Sequence, residues 1–218
     1  MPLALFDLDN TLITDDSDFW WGQYLVDQKI VDADEYEEKN RLFFEDYERG
    51  ELDIDQYLKF ALRPLSRFST EQLHQWRAHF IETHIRPIIA KGAPALIEKH
   101  RQRGDTLMIV SATNLFVTEP IAELLDIPHI LATEPEMKNG RYTGDYVGTP
   151  TFQHGKVQAL EHWLKQHDMN LDGSTMYSDS HNDLPLLKRV DHPVAVNPDD
   201  TLKQVAEQNG WPILDLRA

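Results

Sequence analysis

From Gly92 to the end of the chain, short apolar runs alternate with segments of helical spacing, and that alternation leaves few architectures open. Gly92 to Arg103 reads as a helix, with Pro94 in its first turn and Gly104 just beyond its end. Thr106 to Val110 reads as a strand, Asn114 to Leu125 as a helix, and His129 to Ala132 as a strand. Asn139-Gly140 reads as the turn of a small hairpin. Helices near Gly155 to His167, Leu184 to Arg189 and Thr201 to Asn209 then separate strands at Ser174 to Tyr177, Pro193 to Val196 and Pro212 to Leu214. Short strands joined by helices imply a parallel sheet covered on both faces, so the expected fold class is α/β with a doubly wound sheet.

The first strand lies far from the others. Leu3 to Leu8 is an apolar run that stops at acidic residues, as a buried strand opening into a functional loop would. After it the period changes. Tyr36, Phe43, Phe44 and Tyr47 recur three or four apart, as do Ile54, Tyr57, Leu58, Ala61, Leu62 and Leu65. Another helix, with Ser69 or Thr70 as N-cap, presents Leu73, Trp76, Phe80 and Ile81. No strand pattern interrupts this stretch. Residues 15–87 therefore read as an all-helical domain inserted into an α/β core made of residues 1–14 and 88–218.

The net charge of −16 opposes nonspecific binding to nucleic acid, and the acid is densest in the inserted segment. An anionic substrate must be drawn in locally, by a metal and a few placed cations. With no cysteine, thiol chemistry, disulfides and Cys-based zinc sites are excluded. MPLALF has no basic leader character and no apolar run reaches the roughly 18 residues of a membrane span, so a cytoplasmic protein without membrane partners is expected.

Four elements carry chemistry. In Asp7-Leu8-Asp9-Asn10-Thr11, residues two apart on a strand leaving the sheet point the same way, which can set two carboxylates beside one reaction centre. Such a pair is also what solvent-facing turns use. Ser111 follows the strand TLMIV, at the end of a sheet where ligands bind, and its hydroxyl or the amides of the next helix can donate to a phosphoryl oxygen; Ser111-Ala112-Thr113 also suits simple capping. Lys156 stands near a helix start, where the dipole disfavours a cation, so it either serves another purpose or is solvated. Asp179 and Asp183 share the loop after a further strand, with Asn182 between them. Hard oxygen donors point to magnesium and not zinc. His74, His79 and His84 are five apart and do not share a helix face as zinc ligands would.

Taken together and in this order, DxDxT, then Ser, then Lys, then a loop with two acids, the chain resembles the haloacid dehalogenase superfamily over its whole length. The position of the helical insert is similar to the C1 cap of the phosphoserine-phosphatase-like branch, on a Rossmann-like core. The resemblance implies Asp7 as nucleophile, through an aspartyl-phosphate, and Asp9 as general acid and then base. It implies Mg²⁺ on the Asp7 carboxylate, the Asp9 carbonyl and Asp179, with Asp183 fixing waters or binding directly. Ser111 and Lys156 would hold the phosphoryl oxygens, Thr11 would orient the loop, and Ala112, Thr113 and Asn182 would lie at the substrate. The presence of Asp9 favours phosphoryl transfer over dehalogenation.

Within that branch, DNTL, an acidic stretch with Trp20-Trp21, Gly155-Lys156 and SDSHNDLPLL are similar to bacterial histidinol-phosphate phosphatases. Histidinol phosphate carries an ammonium and an imidazole, for which an acidic, aromatic cap is a sensible counterpart. Asp15, Asp16 and Asp18 would face the ammonium and Trp20 and Trp21 the imidazole; alternatively, the tryptophans are cap or hinge core and the acids a solvated helix start. Phosphoserine is the alternative substrate, and its carboxylate would ask for Arg63. A reading from another class is a phosphate-binding module without turnover. The expected partner is a small phosphomonoester, bound by a monomer or homodimer.

Overall fold

The computed structural model describes residues 1–218, except for the side chain of residue 35. A six-stranded, all-parallel sheet runs in the order β3-β2-β1-β6-β7-β8. Its strands are β1 (Leu3–Phe6), β2 (Thr106–Val110), β3 (His129–Leu131), β6 (Thr175–Ser178), β7 (His192–Val196) and β8 (Ile213–Leu214). Strand β1, inside the sheet between β2 and β6, pairs with β2 through Phe6 opposite Ile109 and with β6 through Phe6 opposite Tyr177. The ends of these three strands therefore lie side by side.

Side-chain alternation along β1 divides the interior. Ala4 and Phe6 join Leu107 and Ile109 in one buried cluster, whereas Leu3 and Leu5 join Met108, Val110 and Met176 in another on the opposite face. The second cluster is closed by α7 (His154–His167), α8 (Leu184–Leu187) and α9 (Asp200–Asn209). The first is closed by α5 (Ala93–Arg103) and α6 (Leu115–Leu124), and it continues without a break into the helices that follow β1. Both faces are thus covered, as the doubly wound reading requires.

Between β1 and α5 the chain forms α1 (Ser17–Asp27), α2 (Ala33–Glu48), α3 (Ile54–Leu62) and α4 (Thr70–Phe80). Asp16, Asp53 and Ser69 cap three of them by accepting a first-turn amide, and Ser69 with Gln72 completes a capping box. After α4 the helix widens into a π-helical turn at Ile81–Ile85 and then tightens at Arg86–Ile88. The neck of the insert is pinned where Ile13 bridges Ile89, Thr14 N–H donates to Ile88 C=O (2.8 Å) and Ala90 N–H to Leu12 C=O (3.0 Å).

The small hairpin, β4 (Glu134–Lys138) and β5 (Arg141–Val147), turns at Asn139-Gly140 with both residues at positive φ. Its position was not legible in the sequence. It folds against the insert, where the Tyr146 hydroxyl donates to Asp55 and Gly144 passes Ser66. Helix α6 contains Pro120, which cannot donate to the carbonyl of Phe116. Arg77 from α4 does so instead, at 2.9 Å, with its guanidinium 4.8 Å from the Phe116 ring. Among the described residues, no helix is long and apolar enough to cross a membrane.

Candidate active site

Asp7, Ser111 and Asp179 each follow the last residue of β1, β2 and β6, so three adjacent strand ends deliver them to one place. Asp7 is fixed at once, its N–H donating to Tyr177 C=O at 2.9 Å. Beyond it the chain winds tightly, with the amides of Leu12 and Ile13 both donating to Leu8 C=O and Asn10 at φ 55°. This turn buries Asp9 beside Asp7 and leaves Thr11 pointing at β6, where its hydroxyl donates to Asp179 at 3.1 Å.

Lys156 extends from the first turn of α7 to the strand ends. It is 2% exposed, and its Nζ lies 2.8 Å from Asp7 Oδ1 and 2.7 Å from Asp183 Oδ1. A buried cation needs such partners. Burial alone would lower the ammonium's pKa, but Asp183 and Asp7 outweigh it and hold it above its ordinary value. The helix reaches this position only because residue 155 is glycine: a Cβ there would sit 1.8 Å from Pro150 O. The remaining Asp183 contact, from the Ser178 hydroxyl at 2.8 Å, was not foreseen from the sequence.

Asp9 has a different environment. Its Oδ1 accepts from Ser17 N–H at 2.6 Å, and its Oδ2 from the hydroxyls of Thr113 (2.8 Å) and Ser111 (3.4 Å). Ser111 Oγ in turn accepts Thr113 N–H at 3.0 Å. Burial pushes the Asp9 carboxyl above the usual carboxylate range despite these donors. Asp7 is pushed up to about 7 by burial, with Lys156 pulling downward and Asp183 and Asp9 upward. Asp179 is raised well above its ordinary value by burial, then by the neighbouring Asp7 and Asp183. The carboxylates are crowded around one lysine, an arrangement that an added cation relieves.

The donor set fits a hard divalent ion held by Asp7, Asp179 and water, since magnesium commonly takes one or two carboxylates. Both oxygens of Asp183 contact Lys156, and Oδ2 also accepts from Ser178, so it anchors the lysine beside the position expected for the metal. Among the described residues, no three histidine or carboxylate side chains form a metal-binding cluster.

Above Asp7 and Asp9 lies a cavity lined by Asp16, Asp18, Phe19, Asn40, Phe43, Phe44, Tyr47, Leu52, Ile54, Tyr57, Ala112 and Thr113. Asp16 and Asp18 are brought there as expected. Burial pushes the Asp18 carboxyl up to about 7, although Tyr57 donates a hydrogen bond to it; Asn114 Nδ2 donates to its other oxygen at 3.3 Å. Burial also raises Asp16 well above its ordinary value, reinforced by Asp9.

Five expected contacts are not at this cavity. Trp21 is 2% exposed and packs on Tyr24, Phe80 and Phe116, because α1 turns that face into the core. Trp20 leans on Phe19 and His84. Asp15 accepts Asp16 N–H in the loop before α1, and Arg63 begins a 3-10 turn beside the hairpin. Asn182 lies at the seam with the insert, donating to Tyr47 C=O at 3.0 Å. The aromatic lining comes instead from Phe19, Phe43, Phe44, Tyr47 and Tyr57. Helical periodicity in α2 and α3 identified four of these rings as an apolar face, but periodicity does not distinguish a face that packs from one that lines a cavity.

Comparison with known proteins matches residues 4–188 to the haloacid dehalogenase-like hydrolase family. The chain is 46% identical over 219 residues to a histidinol-phosphatase of Neisseria meningitidis serogroup C, covering 99% of each. A crystal structure of a protein of unknown function from Bordetella pertussis Tohama I superposes with a TM-score of 0.93 at 41% identity, covering 99% of this chain and 98% of that one. A phosphoserine phosphatase with a phospho-aspartyl intermediate analogue superposes with a TM-score of 0.71 at 22% identity, covering 100% and 93%, and shares the fold.

Proposed function

Because the chain belongs to the haloacid dehalogenase-like hydrolases and is a phosphomonoester hydrolase, we propose that it converts histidinol phosphate to histidinol through an aspartyl-phosphate on Asp7. The observation that carries the substrate is the lining of the cavity. It bears four carboxylates, aromatic rings and, among the described residues, no arginine or lysine. Such a wall suits an ammonium and an imidazole and repels a second carboxylate. The 46% identity to the Neisseria histidinol-phosphatase supports the same reading.

Asp7 Oδ attacks phosphorus in line, and the bond from phosphorus to the histidinol oxygen breaks. Asp9, whose buried carboxyl is held above the usual range, gives its proton to that oxygen, then takes one from the water that attacks phosphorus and frees Asp7. Lys156 holds Asp7 in position and balances charge on the phosphoryl oxygens. Ser111 and Thr113 orient Asp9, and Thr11 orients Asp179. Mg²⁺ bound by Asp7 and Asp179 would neutralise phosphoryl charge at the same place. Residues 15–87 act as a cap over a core of residues 1–14 and 88–218, excluding water from the first half-reaction.

The test is phosphate release in Mg²⁺ from histidinol phosphate, phosphoserine, sugar phosphates and nucleotides. The expected result is a kcat/KM for histidinol phosphate about 100-fold above the others, in line with charge-complementary discrimination. A lead for phosphoserine, or no release from any of them, contradicts the proposal.

A further inference from the structure

At the seam between insert and core, one residue is held in a conformation its side chain disfavours. Gln153 has φ 47° and ψ −114°, in the half of backbone space that favours glycine. Its side-chain nitrogen is engaged there. Nε2 donates to Asn182 Oδ1 at 2.9 Å and approaches Gly50 C=O at 3.4 Å. Asn182 passes the link on, its Nδ2 donating to Tyr47 C=O at 3.0 Å. The Tyr47 carbonyl accepts Gly50 N–H at 3.0 Å within the turn, and the core adds a second donor to it.

The same turn touches the core at a second point. Gly50, at φ 71°, lies so close to the His181 ring that a Cβ would come within 2.8 Å of Nε2. That ring is itself fixed, since Asp199 Oδ2 accepts His181 N–H at 2.7 Å and meets Nδ1 at 2.8 Å. Phe152, next to Gln153, packs on the Tyr47 ring with centroids 6.0 Å apart. Tyr47 lines the cavity with Asp7 and Asp9.

We propose that Gln153 is a positioning residue: with Asn182 and His181 it seats the turn from Tyr47 to Gly50 on the core, which sets Tyr47 over Asp7 and closes the cavity around the substrate. This rests on the phosphatase reading of the site. Gln153 touches none of the reacting groups, so removing its side chain acts on closure and leaves the chemistry in place. A substrate that depends on the insert to hold its ammonium and imidazole should feel the loss, and an activated ester of similar size that lacks those groups should not.

The experiment compares the full chain with Gln153→Ala in Mg²⁺, using histidinol phosphate and p-nitrophenyl phosphate, alongside the rate of tryptic cleavage after the exposed Arg49. The variant should raise KM for histidinol phosphate about tenfold, as expected when a closing contact is lost. Its kcat for p-nitrophenyl phosphate should stay within about twofold, and cleavage at Arg49 should be several-fold faster. Gly50→Ala, which forces the turn off His181, should show the same signature. Faster cleavage with an unchanged KM would reduce the contact to a structural one and overturn the proposal, as would no change in either. Wild-type protein inactive on both esters would count against the phosphatase reading, and the cleavage rates alone would then decide whether Gln153 seats the turn.

Discussion

Asp7 and Asp18 show how similar carboxylates acquire different work from their surroundings. Asp7 meets a buried ammonium, whereas Asp18 meets only the Tyr57 hydroxyl and the Asn114 amide, and both are pushed up to about 7 by burial. Asp18 has neutral donors and the Asp9 carboxylate for neighbours and no cation among its contacts, and its cost falls on the folded state. Below the ordinary value of 3.8 it is protonated in folded and unfolded chains alike and costs nothing. As pH rises from there to about 7, the unfolded chain loses the proton first, so stability falls by an amount of the order of 4 kcal/mol and stays lower above that range. Asp18→Asn should remove this slope. Urea unfolding without Mg²⁺ should show the variant gaining more over wild type at pH 8 than at pH 5, while its kcat/KM for histidinol phosphate falls. Equal gains at both pH values would contradict the assignment. The carboxylates of the strand-end motifs were legible in the sequence because strand ends concentrate chemistry. Ser178 and Tyr57 were not, since a serine or tyrosine in an apolar pattern carries no mark of the carboxylate it will meet.

At the scale of elements, strands and helices of the sheet were legible almost throughout, because short apolar runs and helical spacing act locally. The contacts that give the elements their use were not. Nothing local to Pro120 indicates that Arg77, on another helix, will occupy the carbonyl it leaves unpaired. Trp20 and Trp21 stood out as an aromatic pair, yet adjacent helical residues face different ways and neither reaches the cavity. Gly155 read only as the residue before a lysine, whereas its missing side chain is what lets α7 start against Pro150. Gly155→Ala should therefore displace Lys156 from Asp7 and Asp183 and reduce kcat at least 100-fold, the range seen when a fixed electrostatic group is lost. Steady-state assays and near-UV circular dichroism check it; an active, native-like variant would show that the helix start can shift without moving the lysine.

Across the whole molecule, an α/β core supplies the phosphoryl chemistry and an acidic helical insert supplies the walls above it. Four carboxylates, Asp7, Asp9, Asp16 and Asp18, line the cavity where a cationic metabolite would bind. The hairpin β4-β5 and the seam at Gln153 tie the two parts together through residues far apart in sequence, so that Asn139-Gly140 revealed the hairpin but no pattern along the chain revealed where it docks. The most direct measurement is acid-quenched peptide mass spectrometry during turnover of histidinol phosphate with Mg²⁺. Phosphate should appear on the peptide containing Asp7, be removed by hydroxylamine, and be absent from Asp7→Asn, which should release no phosphate. Turnover by Asp7→Asn, or turnover by wild type with phosphate on no residue or on another, would contradict Asp7 as the nucleophile.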